Sequence, residues 1–331
     1  MKVLVTGGAG YIGSHVVRQL AEAGHDIVVF DNLSTGYRWA VTAGELVIGD
    51  LANEAEIDQV FSSHRFDAVL HFAANIVVPE SVTNPLKYYG NNTRNTLNLL
   101  KAVDKYKVPY MVFSSTAAVY GMPEQTVLTE DLPLAPINPY GASKMMSERM
   151  VTDLAAASGL NYVVLRYFNV AGANPDGLLG QATPEATHLI KVACECVTGQ
   201  RDGMSIFGTD YDTSDGTCVR DYIHVEDLAS AHVMALDYMA NGGESKIMNC
   251  GYGRGFTVSE VIDVVRRQSG VDFPVTKVGR RAGDPAALMA DNALIKKTLG
   301  WQPAYDDLET IVGTALAWEA IWQKKKAAAG Q

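Results

Sequence analysis

The chain is poor in cysteine, in positive charge and in long apolar runs. Cysteine occurs only at Cys194, Cys196, Cys218 and Cys250 among 331 residues, with no CxxC pair and no metal-type spacing to the seven histidines. That pattern argues against a disulfide scaffold and against any metal site, and it suits reduced thiols in a cytoplasmic protein. Cys194 and Cys196 read as packing residues in an apolar helical stretch. Lysine and arginine number 27 against 37 aspartates and glutamates, a formal net charge of -10. A balance this acidic offers no long-range attraction to nucleic acid or to an anionic membrane, so any anionic ligand must be held by a few placed arginines. No apolar run is long enough to span a bilayer, and a first strand expected from Lys2 leaves no room for a signal peptide.

What is present is a large apolar fraction, 47% hydrophobic against 19% charged residues, over a length that suits two domains sharing an interface. The N-terminal half alternates β-branched runs at 2–6, 26–30, 45–48, 68–72, 110–114 and 162–165 with helical stretches near 12–23, 54–61, 85–106 and 139–157. Gly24 closes the first of these helices. Six strands joined by crossover helices predict an α/β fold built on a doubly wound parallel sheet. After Ala171 the texture changes: Gly172, Asn174, Pro175, Asp176, Gly177 and Gly180 crowd together and regular alternation stops. A domain boundary is expected there, between 1–175 and a smaller, loop-rich α/β domain over 176–331, with the chain returning to the first domain near 222–250. Beyond the boundary, helices are expected near 185–198, 227–239, 258–268 and 308–325, and short strands at 247–249 and 274–277. The tail from Lys324 reads as a fraying end.

Val3-Leu4-Val5-Thr6 runs straight into Gly7-Gly8-Ala9-Gly10-Tyr11-Ile12-Gly13 and then a helix. Glycines at a strand-to-helix turn let backbone N–H groups and the helix N-terminus approach a pyrophosphate. Gly8, Gly10 and Gly13 satisfy G-x-G-x-x-G, while Gly7, Gly10 and Gly13 satisfy the variant with two residues between each pair. An ordinary glycine-rich turn is the alternative. Asp31 ends the second strand about twenty residues on, where a carboxylate accepts hydrogen bonds from a ribose diol and repels a 2'-phosphate, which favours NAD over NADP. Asn32 follows it. Asp50-Leu51 after the third strand reaches toward the adenine, and Phe72-Ala73-Ala74 ends the fourth with small residues that let a cofactor lie close. A strand-ending aspartate is also a common turn residue.

Asn138 reads as a helix N-cap and Pro139 as the first helical residue, which puts Tyr140 in the first turn and Lys144 one turn further on the same face. A phenol with a pKa near ~10 is a poor base at neutral pH, and an adjacent ammonium is the simplest way to favour its phenolate. The pair fits proton transfer from a substrate hydroxyl. It fits equally an exposed tyrosine above a solvated lysine paired with Glu148.

With the glycine-rich turn, Asp31, Ser114-Ser115-Thr116 ending the fifth strand and Tyr140-x-x-x-Lys144, the chain resembles the extended short-chain dehydrogenase/reductases, which have a Rossmann-like NAD-binding domain. Phe113–Gly121, Leu165–Asn169, Ile206–Tyr211 and Val219–Val225 narrow the resemblance to the UDP-glucose 4-epimerases over nearly the whole chain. The resemblance implies inversion at C4 of a UDP-hexose through a 4-keto intermediate, with transient reduction of tightly bound NAD, in a homodimer. It implies Tyr140 as catalytic base, Lys144 as the residue that orients the nicotinamide ribose and lowers the tyrosine pKa, and Thr116 as hydrogen-bond partner of the C4 hydroxyl. Tyr11 and Ile12 should line the cofactor, with Ser114, Asn91 and Phe168 beside it. Asn169, Arg220, Arg281 and Asp284 should hold the nucleotide sugar, and Phe207 should pack near the uracil. Guanidinium forks match a diphosphate on physical grounds as well.

The departures are Thr116 in place of a common serine, Ile76 and Thr187 where some relatives carry lysine and asparagine, and Leu288 where glucose-specific relatives carry tyrosine. Epimerisation of UDP-GlcNAc or a UDP-pentose therefore stays open, as does decarboxylation. A 4,6-dehydratase usually carries Asp-Glu after the threonine, where Ala117-Ala118 stand here. A silent NAD(H)-sensing protein on the same scaffold is the reading of a different class.

Overall fold

A computed structural model describes residues 1–281 and 284–328. Seven strands build one parallel sheet: β1 (Lys2–Thr6), β2 (Asp26–Asp31), β3 (Glu45–Ile48), β4 (Ala68–His71), β5 (Tyr110–Thr116) and, after β6 (Val127–Leu128), β7 (Asn161–Tyr167) and the much later β12 (Lys246–Cys250). Their order is β12-β7-β5-β4-β1-β2-β3, with Val3 in register with Ile27 on one side and Ala68 on the other. The expected six-strand sheet thus has a seventh member, because Lys246–Cys250 pairs with Val163–Tyr167.

Side chains alternate across a strand, so each strand of this sheet feeds two cores. Val3, Val5, Val29, Val112 and Leu165 face one way, onto α1 (Tyr11–Glu22) and α8 (Val225–Ala240). Leu4, Val28, Val69, Met111 and Val164 face the other, onto α2 (Glu54–Ser63), α5 (Asn95–Lys105) and α6 (Pro139–Ser158). Two further short helices, α3 (Val78–Thr83) and α4 (Pro85–Tyr88), lie before α5.

Smaller sheets carry the rest. β8 (Asn169–Ala171) pairs with β11 (Tyr222–His224), and β9 (Met204–Phe207) with β14 (Val275–Val278). β10 (Val219–Arg220), β13 (Phe256–Thr257) and β15 (Ala287–Ala290) join β6 in a four-stranded sheet. Helices α7 (Leu189–Val197), α9 (Val258–Ser269) and α11 (Leu308–Ala328) pack together, and α10 (Ala293–Leu299) precedes the last of them.

Three expectations need correction. The helix expected from 185 starts at Leu189, because Glu185 sits at φ 49 and His188 is an extended N-cap. The helix expected over 85–106 is interrupted by a π-helical turn, Tyr89–Arg94, where Asn92 is bonded to both backbone groups of Asn75 and to Ser143. The supposed fraying tail stays helical to Ala328, with Lys325 over the rings of Trp39 and Trp318; residues 329–331 of that reading lie outside the described residues.

Candidate active site

Strand order reverses at β1, and the C-terminal edge of a doubly wound sheet opens into a crevice at that point. Here it is a continuous cleft of about 1450 Å³. At one end the turn after β1 comes within touching distance of the chain after β4. A Cβ on Gly7, at φ 75, would lie 2.5 Å from the Ala73 nitrogen, and one on Gly13 would lie 2.3 Å from the Gly7 oxygen. Gly10 is the N-cap of α1, so backbone N–H groups alone present the helix terminus. The two glycine patterns differ in packing: Gly7, Gly10 and Gly13 line the cleft, whereas Gly8 faces Val17 and Val29.

Asp31 accepts from the Ala9 and Leu33 N–H groups at 2.9 and 2.8 Å, which fixes its carboxylate at the rim of the glycine turn. Burial pushes its pKa up against the pull of those two N–H groups. Asn32 donates to Asp50 at 3.0 Å and continues the rim. Leu51, Phe72, Ala73, Ala74, Tyr11, Ile12, Asn91 and Phe168 line the same cleft. A cradle that admits no Cβ, a helix N-terminus and a carboxylate at the end of β2 fit a dinucleotide of the NAD type.

The middle of the cleft is set by α6. Asn138 accepts from the Gly141 N–H at 2.8 Å and Pro139 opens the helix, so Tyr140 emerges in its first turn opposite the end of β5. Tyr140 and Thr116 both line the cleft, each 8% exposed. Lys144 and Ser114 do not line it. Lys144 is 4% exposed with its ammonium 4.4 Å from the centre of the Phe113 ring, and the Ser114 hydroxyl lies 2.5 Å from that of Tyr167. The exposed Tyr–Lys pair with Glu148 is therefore excluded: Glu148 is buried and bonded to Arg166.

Burial works against the expected phenolate. Burial is the dominant influence on Tyr140 and raises its pKa, with the Thr116 hydroxyl pulling the other way. Burial likewise pulls Lys144 down to about 7 against the opposing charge of Glu148. A low-dielectric site penalises both the phenolate and the ammonium, so the phenolate depends on positive charge beside it.

At the far end, Arg220 donates to Asp284 at 3.2 Å and to the Pro285 carbonyl at 2.9 Å, and the Arg281 guanidinium lies 3.6 Å from the Phe207 ring centre. Asn169, Phe207, Arg220, Arg281, Asp284, Thr187, Ile76 and Leu288 all line the cleft. Residues missed from sequence line it too: Tyr167, His188, Leu189 and Tyr222. His188 stands at the N-cap position of α7 with its side chain turned to Gln181 at 2.9 Å; a helix started at Leu189 would have drawn attention to it.

Residues 3–251 match the family model for the NAD dependent epimerase/dehydratase family. A UDP-glucose 4-epimerase from Azospirillum brasilense is 56% identical over 99% of this chain and 95% of its own length. One from Lacticaseibacillus casei is 46% identical over 96% of each. Among solved structures, a UDP-glucose 4-epimerase from Brucella ovis in complex with NAD superposes with a TM-score of 0.93 at 46% identity, covering 96% of this chain and 97% of its own. The UDP-Glc/GlcNAc 4-epimerase of Campylobacter jejuni gives 0.86 at 51% identity, covering 97% and 99%. Glycine cradle, tyrosine helix and near full-length likeness agree: the chain belongs to the NAD dependent epimerase/dehydratase family, among its UDP-glucose 4-epimerases.

Proposed function

We propose that this chain interconverts UDP-galactose and UDP-glucose by inverting C4 of the hexose through a 4-keto sugar, in galactose metabolism. The observation that carries the reading is that one cleft joins the glycine cradle, the Thr116–Tyr140 wall and the Arg220–Arg281 end. Bound there, NAD would supply a hydride acceptor and donor for C4, and its pyridinium charge would favour the Tyr140 phenolate. Gly7, Gly10 and Gly13 take its pyrophosphate, Asp31 its ribose, and Asn32, Asp50, Leu51, Phe72, Ala73 and Ala74 the adenosine side. Tyr11, Ile12, Asn91 and Phe168 shape the nicotinamide side, with Ser114 behind it holding Tyr167.

Tyr140 takes the proton of the 4-hydroxyl and later gives it back, while Thr116 holds the oxygen that loses it. Lys144 supports the phenolate from behind the wall. Arg220 and Arg281 bind the diphosphate, Asn169 and Asp284 the nucleotide sugar, and Phe207 packs near the uracil. With the nucleotide held firmly and the hexose loosely, the ketone can present its other face. Ala117 and Ala118 supply no acid or base for eliminating water. Residues 1–175 with the returning strand hold the dinucleotide, and 176–331 the UDP-sugar. Exposed Leu97 and Met146, on neighbouring helices, support a homodimer, and four buried free thiols support a cytoplasmic setting. Leu288 on the cleft wall favours a second substrate, UDP-GlcNAc, because a side chain smaller than tyrosine leaves room for an N-acetyl group.

The test is incubation of purified protein with UDP-galactose and no added NAD, with UDP-GlcNAc and UDP-xylose in parallel arms. UDP-glucose should form, and Tyr140→Phe should stop it while keeping bound cofactor. Tight dinucleotide binding without turnover of any UDP-sugar would instead establish a sensing protein.

A further inference from the structure

Behind the cleft wall lies a buried ion pair that the proposed reaction leaves unused. Glu148 stands one turn beyond Lys144 on α6, and Arg166 stands on β7; their side chains are 3% and 4% exposed. The guanidinium grips the carboxylate by Nη2 at 2.7 Å and by Nε at 3.1 Å. Glu148 also accepts from the hydroxyl of Ser115, the residue before Thr116. Arg166 donates onward to the Tyr120 hydroxyl at 3.0 Å, which donates to Asn249 at 2.7 Å. Stability alone does not call for such a pair, since apolar residues of the same volume usually serve a core as well.

The charges facing the catalytic pair narrow its role. No carboxylate pairs directly with Lys144 among the described residues; Phe113 of β5 lies under its ammonium. His71 on β4 is pulled down to about 3 by burial and by the Lys144 charge, so it is neutral. Tyr88 on α4, its ring centre 6.5 Å from that of Tyr140, and Tyr167 on β7 are held protonated by burial. Glu80, on the cleft wall, accepts from the Tyr88 hydroxyl and from Lys87, which offsets its charge. The full charges behind Lys144 are therefore Glu148 and Arg166, and the carboxylate is the one that favours the ammonium.

Building on the epimerase reading, we propose that Glu148 and Arg166 are a positioning pair for the base: the carboxylate favours the Lys144 ammonium, and Arg166 holds that carboxylate back so the ammonium is not drawn down the helix away from Tyr140. Removing the carboxylate leaves Lys144 and Arg166 buried without that counter-charge, Lys144 gives up its proton more readily, and the phenolate loses support.

The experiment titrates the holoenzyme in two ways, by the pH dependence of kcat with UDP-galactose and by the near-ultraviolet phenolate absorbance that Tyr140→Phe removes. Glu148→Gln should move both midpoints to higher pH by about one unit or more, with little change in KM. Glu148→Asp should leave them in place even if kcat falls. The double variant Glu148→Gln/Arg166→Met removes both charges, protects the fold if the single variant fails, and should show a smaller shift in the same direction. Midpoints at the wild-type pH in every folded variant, with only melting temperature lowered, would reduce the pair to a structural tie. Because the absorbance titration needs no turnover, a wrong substrate assignment would leave it readable.

Discussion

A methyl group at position 13 would lie 2.3 Å from the Gly7 oxygen and 2.8 Å from the Gly8 Cα, both backbone atoms of the turn itself. Nothing there can move without opening the cradle, so Gly13→Ala should cost about 1–3 kcal/mol and empty the protein of NAD. Gly8→Ala meets Val29 and Val17 methyl groups instead, at 2.9 and 3.1 Å, and side chains can shift. That variant should melt lower yet keep its cofactor. Dinucleotide released on denaturing each purified variant decides between the two patterns; equal loss from both would return Gly8 to the binding set. The glycine turn was readable because its demand is local. The Glu148–Arg166 pair was not, since the one-turn spacing rule suggests Lys144 as the partner of Glu148 while the real one sits on a strand 18 residues later.

At the scale of elements, signals that start and stop within a few residues were legible. The cap Asn138 and the first-turn Pro139 announce α6, and the structure begins the helix there. Asn138→Ala should therefore cost about 1 kcal/mol. Because Tyr140 rides only two residues inside that end, kcat should fall with the melting temperature while KM holds, and Asn138→Asp should restore both. An unchanged kcat would show that neighbours other than the cap place the tyrosine. The π-helical turn was illegible for the opposite reason: Asn92 is fixed by Asn75 and Ser143, 17 and 51 residues away. Strands of two residues, such as Val127–Leu128 and Phe256–Thr257, are too short to show a period at all.

Over the whole molecule, two distant ties hold the second half of the chain to the first. One is aromatic: Trp318 and Trp322 of the last helix pack with Tyr37 and Trp39 after β2. Trp318 is 2% exposed, and Trp318→Ala should cost about 3–5 kcal/mol, read as a lowered urea midpoint. The other is ionic. Glu226, at the start of α8, contacts His15 at 2.7 Å and accepts from Arg18 and Gln19 at 2.6 Å, all on α1, and from Asn174 at 3.1 Å. Burial would raise its pKa, but the His15 contact and these donors outweigh it and hold the carboxyl at about 2, below its ordinary 4.5. The unfolded chain thus takes up this proton first as pH falls. The stabilisation, about 3 kcal/mol at most, is complete above pH 4.5 and disappears as pH drops toward 2. Glu226→Gln should accordingly melt lower than wild type at neutral pH, and the gap should narrow steadily from pH 4.5 downward. Parallel melting curves across that range would mean that the contacts of Glu226 act through shape alone, with its charge contributing nothing to the union of α1 and α8.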